Sequence, residues 1–310
     1  MRISRAFQIL GFCLLVSAGL GHADDSQKYA ERGVAAYHSG KFDLARLFFA
    51  KALQDAVLKG KDDWIAKATL NLVDVELEAL DEAEAGRLLE GVVTRDKSLR
   101  SLVFWKRSQL AYQQRKFSEA LSLVDSALQL AKGDARKQTS MRLDRLRYLM
   151  QSKEPSAWAP DYQAFREFMG SLDRGRVAGL NAMAAMARKE FEKADTLWRE
   201  AATYYRDQGR LAKMAACINQ SALCLFASGN REDAQEYNSR AVAIYSELGL
   251  ELPGLRTQAL RLLLVENSRE LAKLRQDMDL LGQRFGGFDL QGILDEYSRS
   301  MHDGRIGSGP

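Results

Sequence analysis

Residues 29 to 56 (YAERGVAAYHSGKFDLARLFFAKALQDA) align without a gap on residues 104 to 131 (FWKRSQLAYQQRKFSEALSLVDSALQLA), and 10 of the 28 positions are identical. An offset of 75 is two units of about 37, inside the 20 to 50 residues that mark a solenoid repeat. The shared frame holds Arg32/Arg107, Ala36/Ala111, Tyr37/Tyr112, Lys41/Lys116, Phe42/Phe117, Ala45/Ala120 and Ala52/Ala127. Two later segments enter the same register, Phe191, Ala194, Trp198 and Ala201 in one and Ala234 and Ala241 in the next, so four copies keep alanine at both columns. Each copy reads as a helix, a short turn and a second helix packed antiparallel. Ala45, Ala120, Ala194 and Ala234 stand near the start of the second helix, where a larger side chain would hold the hairpin apart. The alanine seven residues on lies on the same face, two turns along. Composition agrees: 46% hydrophobic and 28% charged residues belong to a folding chain, and four prolines with no alternating Val/Ile/Thr runs argue against an all-β fold.

The frame resembles the tetratricopeptide repeat over most of residues 26 to 250, through recurrence in register rather than through any one residue. The proline that often closes such repeats is missing, and Gly33 is the only glycine at its column among the four copies. The resemblance implies an all-α, right-handed superhelical solenoid of antiparallel helical hairpins. Glycines at 40, 60, 133, 209, 229 and 249 fall between apolar-periodic runs, where helix ends place them. With degenerate hairpins at 61–93 and 134–172 the count is six, plus a seventh at 253–285 and a short capping helix near 290–301. The expected divisions are a leader over 1–23, repeats over 24–153 and 154–285, and a cap with a frayed tail over 286–310. Residues 154–160 (EPSAWAP) are a bend between two subarrays or a plain loop.

Arg2 and Arg5 precede an apolar stretch of 15 residues, and Gly21-His22-Ala23 follows before Asp24-Asp25. This is the form of a cleaved signal peptide, and it is short of the roughly 20 residues a spanning helix needs. A lipoprotein signal at Cys13 is disfavoured because Phe12 precedes it. The expected setting of the mature chain is periplasmic or secreted, not membrane-spanning. The net charge of +4 falls to +2 without the leader's two arginines, too small a surplus for a bulk nucleic-acid binder. Cys217 and Cys224 lie two helical turns apart, about 10 Å, and cannot bridge within one helix; they read as small packing residues.

No metal cluster, catalytic motif or phosphate loop is found, and no cofactor is expected. His38 ends the first helix of its hairpin and reads as a helix-terminal surface residue. The soluble lytic transglycosylases join an exported helical superhelix to a wall-cleaving domain, but their Glu-Ser pair and Gly-Leu-Met-Gln-like string are absent here. The expectation is a non-enzymatic scaffold or adaptor for a protein or peptide partner in an envelope assembly. A cell-wall or polysaccharide-acting enzyme and a self-assembling structural protein are the alternatives.

In the repeat family, ligands lie on the concave face formed by the first helices. The resemblance places Tyr37, Tyr112, Met186 and Phe226 in one concave column, and Trp105, Gln109, Gln113 and Asn219 in others. Aromatic and amide side chains suit a bound peptide; the competing role for them is packing between helices. The family's carboxylate-gripping arrangement is not matched, because Asn219 stands among Ala216, Leu223 and Ala227. A basic helix over 134–153 carries Arg136, Arg142, Arg145 and Arg147, either a solvated face or a surface for an anionic partner. Leu264, Leu271, Leu274, Met278, Leu281 and Phe285 follow near-heptad spacing. That stripe either docks onto the preceding hairpin or makes a homodimer through the C-terminal helix.

Overall fold

A computed structural model describes residues 25–153, 155–166, 174–265, 268–283 and 288–303. The leader with Cys13, Glu154, Phe285 and the tail from Gly304 lie outside the described residues, as do the side chains of Arg136 and Leu281.

The described residues form helices throughout and no strand. Five hairpins follow the expected order: α1 (Asp25–His38) with α2 (Phe42–Leu58), α3 (Asp62–Ala79) with α4 (Glu82–Glu90), α5 (Lys97–Gln113) with α6 (Phe117–Leu130), α9 (Arg174–Ala187) with α10 (Phe191–Asp207), and α11 (Leu211–Ala227) with α12 (Arg231–Glu247). Between them stands a pair built from α7 (Ala135–Ser152) and α8 (Pro155–Arg166). The stretch expected to be a bend or loop is thus helical from Pro155. Proline suits a first helical position, where the missing N–H had no partner to lose, and Pro160 stands inside the same helix. The expected seventh hairpin is instead three pieces, α13 (Glu251–Gln258), α14 (Arg261–Leu264) and α15 (Ser268–Gly282), followed by α16 (Leu290–Asp303).

The repeat frame has a direct physical basis. Ala45, Ala120, Ala194 and Ala234 are all fully buried, as are Ala52, Ala127, Ala201 and Ala241 seven residues later. Phe42, Phe117 and Phe191 each open the second helix of their hairpin. The turns close with one repeated hydrogen bond that spans six residues: Lys41 N to Ala36 O at 2.9 Å, Lys116 N to Ala111 O at 2.8 Å, Glu190 N to Ala185 O at 2.9 Å and Asn230 N to Leu225 O at 2.9 Å. This satisfies a helix-end carbonyl and demands a left-handed residue just before the donor. Gly40 and Gly229 supply it at φ +71° and +90°, whereas Arg115 and Lys189 take it at +62° and +61°. Gly33 answers to a different need. A Cβ there would sit 2.4 Å from Phe49 Cε1, and Phe49 is fully buried.

Two hydrophobic cores meet in α7, with Met141 and Tyr148 in one and Leu143, Leu146 and Met150 in the other. Ala212, Ala215, Tyr245 and Leu250, from the sixth hairpin and the start of α13, pack into the core of the first three. The array therefore curls back on itself, and Gly40 abuts Leu248. The near-heptad stripe is largely spent within the chain: Leu264 and Met278 are fully buried, and Leu271 and Leu274 pack partly buried against the same core. Helix α16 does more than cap the last repeat. Tyr297 donates to Arg256 O at 3.0 Å, and Glu296 pairs with Arg256 at 2.7 Å and with Arg115, at the turn of the third hairpin, at 3.6 Å. No described helix is long and apolar enough to cross a membrane.

Candidate binding cavity

The first helices of all six pairs, α1, α3, α5, α7, α9 and α11, converge on one cavity of about 230 Å³, joined by Trp198 and Tyr205 from α10 and by Arg210. Its centre is polar. Asp144 is buried on α7 in the inward stripe Met141, Asp144, Tyr148. Its carboxylate accepts the Trp105 indole N–H at 2.8 Å, Gln109 Nε2 at 3.2 Å and Arg176 Nη2 at 2.7 Å, with Arg147 Nη2 at 3.6 Å. Burial alone would raise the Asp144 pKa, but Arg176, Arg147 and the two hydrogen bonds outweigh it and hold the carboxyl below its ordinary value.

Arg147 lies over the faces of Tyr112 at 4.5 Å and Tyr148 at 5.7 Å, and these two rings stack at 4.7 Å. Burial works against its charge, yet Asp144 and the flanking tyrosines raise its pKa and keep it a cation. Across the cavity Lys106, almost fully buried, pairs with Asp74. There desolvation outweighs Lys106 and pushes the Asp74 pKa upward. The Tyr37 hydroxyl donates to Glu78 at 3.1 Å. Gln113 Nε2 donates to Leu77 O at 2.7 Å, at the end of α3, where Leu80 N donates to the same carbonyl at 3.3 Å.

His38 does end α1, but it is half-buried and turned toward Arg210 and Lys213 rather than lying free on the surface. Burial, then these two cations, lower its pKa and favour the neutral ring. Counting lysines and arginines against carboxylates, the lining has five of the first, Lys106, Arg147, Arg176, Arg210 and Lys213, and three of the second, Asp74, Glu78 and Asp144.

Of the residues expected in a groove, Tyr37, Gln109, Tyr112 and Gln113 line this cavity. Trp105 and Asn219 do not. Trp105 is 2% exposed and stands behind the wall with its indole spent on Asp144. Asn219 is buried, donates to the Tyr297 hydroxyl at 3.3 Å and accepts from Asn238 at 3.1 Å, so it ties α11 to α16 and α12. Met186 is fully buried core, and Phe226 lies half-buried under the Arg231 guanidinium at 5.1 Å. The basic helix does not present one basic face: Arg142 is exposed, Arg145 is bound to Asp125 and Asp161 at 2.8 Å each, and Arg147 points into the cavity. Cys217 and Cys224 are buried and not joined in a disulfide, and Cys217 lines the cavity. Among the described residues no group of His, Cys, Asp and Glu is placed to hold a metal ion.

The sequence reading missed Asp74, Glu78, Lys106, Asp144, Arg176, Trp198 and Gln220 as wall residues. The available signal was charge inside an inward stripe. Asp144 falls between Met141 and Tyr148 at helical spacing, where an unpaired acid would be costly.

No protein-family model matches the chain, and no curated protein matches it. Its fold is similar to that of a Rap protein whose crystal structure was solved complexed with Competence and Sporulation Factor: TM-score 0.57, 13% sequence identity, 89% of this chain and 80% of that one covered. The chain is an all-α, TPR-like solenoid whose first helices enclose a polar cavity with an excess of basic side chains.

Proposed function

We propose that the chain is a non-catalytic binding scaffold that holds a segment of a protein partner in the cavity, and that it works outside the inner membrane in an envelope assembly. One observation carries the binding reading: six helices scattered over the sequence bring tyrosine, glutamine and arginine side chains to a single interior surface. The Rap protein of similar fold was crystallised with a bound factor, which supports a ligand-holding role for such an array. The leader sequence, with its charged start and small-residue cleavage site, supports export.

The test is site-specific photocrosslinking in the native envelope. A crosslinker at Gln109, on the cavity wall, captures a discrete partner. The same group at Leu58, exposed on the outer helix α2, does not. Equal capture at both positions, or none at Gln109, would overturn the cavity assignment. Incubation with peptidoglycan and polysaccharides gives no turnover on this reading; turnover abolished by Asp144→Asn would replace the scaffold with an enzyme.

A further inference from the structure

A second cleft, of about 580 Å³, shares no residue with the cavity. It lies where the turn of the third hairpin, the end of α7 and helix α16 meet. Gln151, on its wall, is 6% exposed, and its amide Nε2 is buried with no hydrogen-bond partner in the chain. The hydroxyl of Ser152, the next wall residue, is buried and unpartnered as well. A buried donor left unpaired gives up its hydration and gains nothing in exchange. An amide of this kind on a cleft wall marks the place of an acceptor.

The opposite wall is the N-terminus of α6. Lys116 holds the N-cap and makes no capping hydrogen bond with its side chain, so first-turn N–H groups are left to find acceptors outside the helix. Such a terminus, with the helix dipole behind it, favours an anion. The carbonyl end of α7 lies here too and would oppose one, but Lys153 stands at that end as the C-cap.

Charge acts in the same direction. Arg115, Lys116, Lys153 and Arg299 line the cleft against Glu119 and Glu296, a surplus of two positive charges. Glu296 is held by Arg256 at 2.7 Å, and Arg115 reaches it only at 3.6 Å. The hydrogen bonds of Arg115 to Gly292 O at 3.4 Å and of Arg299 to Asp295 O at 3.2 Å go to neutral backbone carbonyls and leave both charges uncancelled. Lys116 also acts on Glu82, which lies outside the cleft. A peptide backbone would bring N–H donors to a wall that is itself mostly donors. A phosphoryl group instead turns acceptor oxygens in every direction and carries up to two negative charges. The volume lies within the ~300 to 1,000 Å³ of small-molecule sites.

We propose that this cleft is a phosphate-binding site, in which the phosphoryl group of a small organic phosphate or of a lipid headgroup seats between the N-terminus of α6 and the Gln151 amide, with Arg115, Lys116, Lys153 and Arg299 around it. The site is separate from the partner cavity and does not depend on that reading. A ligand held there bridges the third hairpin, α7 and α16.

The test uses the full chain and two probes at constant ionic strength. Inorganic phosphate is titrated by calorimetry, and phosphatidylcholine vesicles with or without phosphatidic acid are followed by co-sedimentation. Saturable binding of phosphate points to a soluble ligand, and binding to the phosphatidic acid vesicles alone points to a headgroup. Gln151→Leu keeps the shape of the side chain and removes the donor. It should weaken binding about tenfold or more, the scale of a charge-assisted hydrogen bond, while thermal melting stays the same or rises because an unpaired polar group has left the interior. A purely structural glutamine would move melting and not binding. Lys116→Gln combined with Lys153→Gln, both exposed, should weaken binding about a hundredfold, and this variant decides the matter where Gln151→Leu does not fold. Binding that survives either folded variant unchanged, or no binding of either probe at millimolar phosphate, would overturn the proposal.

Discussion

Tyr37 in the first hairpin and Tyr112 in the third hold the same column of the repeat, 75 residues apart, yet they live in different surroundings. Tyr37 is half-exposed at the cavity rim, edge-on to Phe42 at 5.6 Å, and its hydroxyl reaches Glu78. Tyr112 is 3% exposed, stacked on Tyr148 and roofed by Arg147. The repeat frame places both rings on the concave side, but the following hairpin decides what each ring meets. After the first hairpin comes α3, which offers a carboxylate; after the third comes α7, which offers a tyrosine and a guanidinium. A column in a solenoid thus fixes direction, and the less regular neighbour fixes environment.

Alanine at the two tyrosines should break their equivalence by the largest margin. Tyr112→Ala removes a buried ring and uncovers Arg147, with an expected loss of about 3 to 5 kcal/mol. Tyr37→Ala removes one hydrogen bond and a half-exposed ring, about 1 kcal/mol. Urea unfolding of both variants measures this, and equal losses would show that the rim assignment of Tyr37 is mistaken. Partner binding sharpens the contrast, since Tyr37→Ala should lower affinity with the melting curve almost unmoved.

The same two hairpins differ in how they fill the space between their helices. The first pairs Gly33 with Phe49; at the equivalent positions the third has Ser108 and Val124. A smaller residue on one helix accompanies a larger one on the other. Gly33→Ala therefore drives a methyl into the Phe49 ring, with an expected loss of about 1 to 3 kcal/mol by overpacking, whereas the double variant Gly33→Ser with Phe49→Val should be less destabilised than the sum of its single changes. A double-mutant cycle by chemical denaturation gives the coupling directly. Additive losses would mean that the pair is not a compensated unit.

These contrasts also show what the sequence makes legible. Alanine columns recur because a close helix approach tolerates little else, so the hairpins and their register could be read from four imperfect copies. The cavity was legible only in part. Tyr37, Gln109, Tyr112 and Gln113 belong to the two copies that match best, and they do line it. Asp144, Arg176 and Asp74 come from hairpins with degenerate frames or from positions with no counterpart, so no column announced them. Trp105 and Asn219 share the direction of the column but are consumed by contacts with Asp144, Tyr297 and Asn238. Those partners lie 19 to 78 residues away and follow no repeat spacing. The leader and the export it implies remain a reading of the sequence.

The smallest expected effect lies in the turns, where the first hairpin uses glycine and the third and fifth do not. Gly40, Arg115 and Lys189 occupy one structural position, each left-handed and each just before the residue that closes the six-residue hydrogen bond. A side chain crowds the backbone there, while glycine pays no such penalty. Arg115 is compensated by its contact with Glu296, but Lys189 is exposed. Lys189→Gly should therefore relieve strain and raise stability by about 0.5 to 1 kcal/mol, net of the extra freedom glycine gives the unfolded chain. Gly40→Ala should move the other way and by more, because it adds the left-handed penalty to a contact at 2.9 Å with Leu248 across the closure of the array. Differential scanning calorimetry reads both shifts, and a Lys189→Gly variant that melts lower than the parent would show that the fifth turn is held by its side chain rather than strained by it.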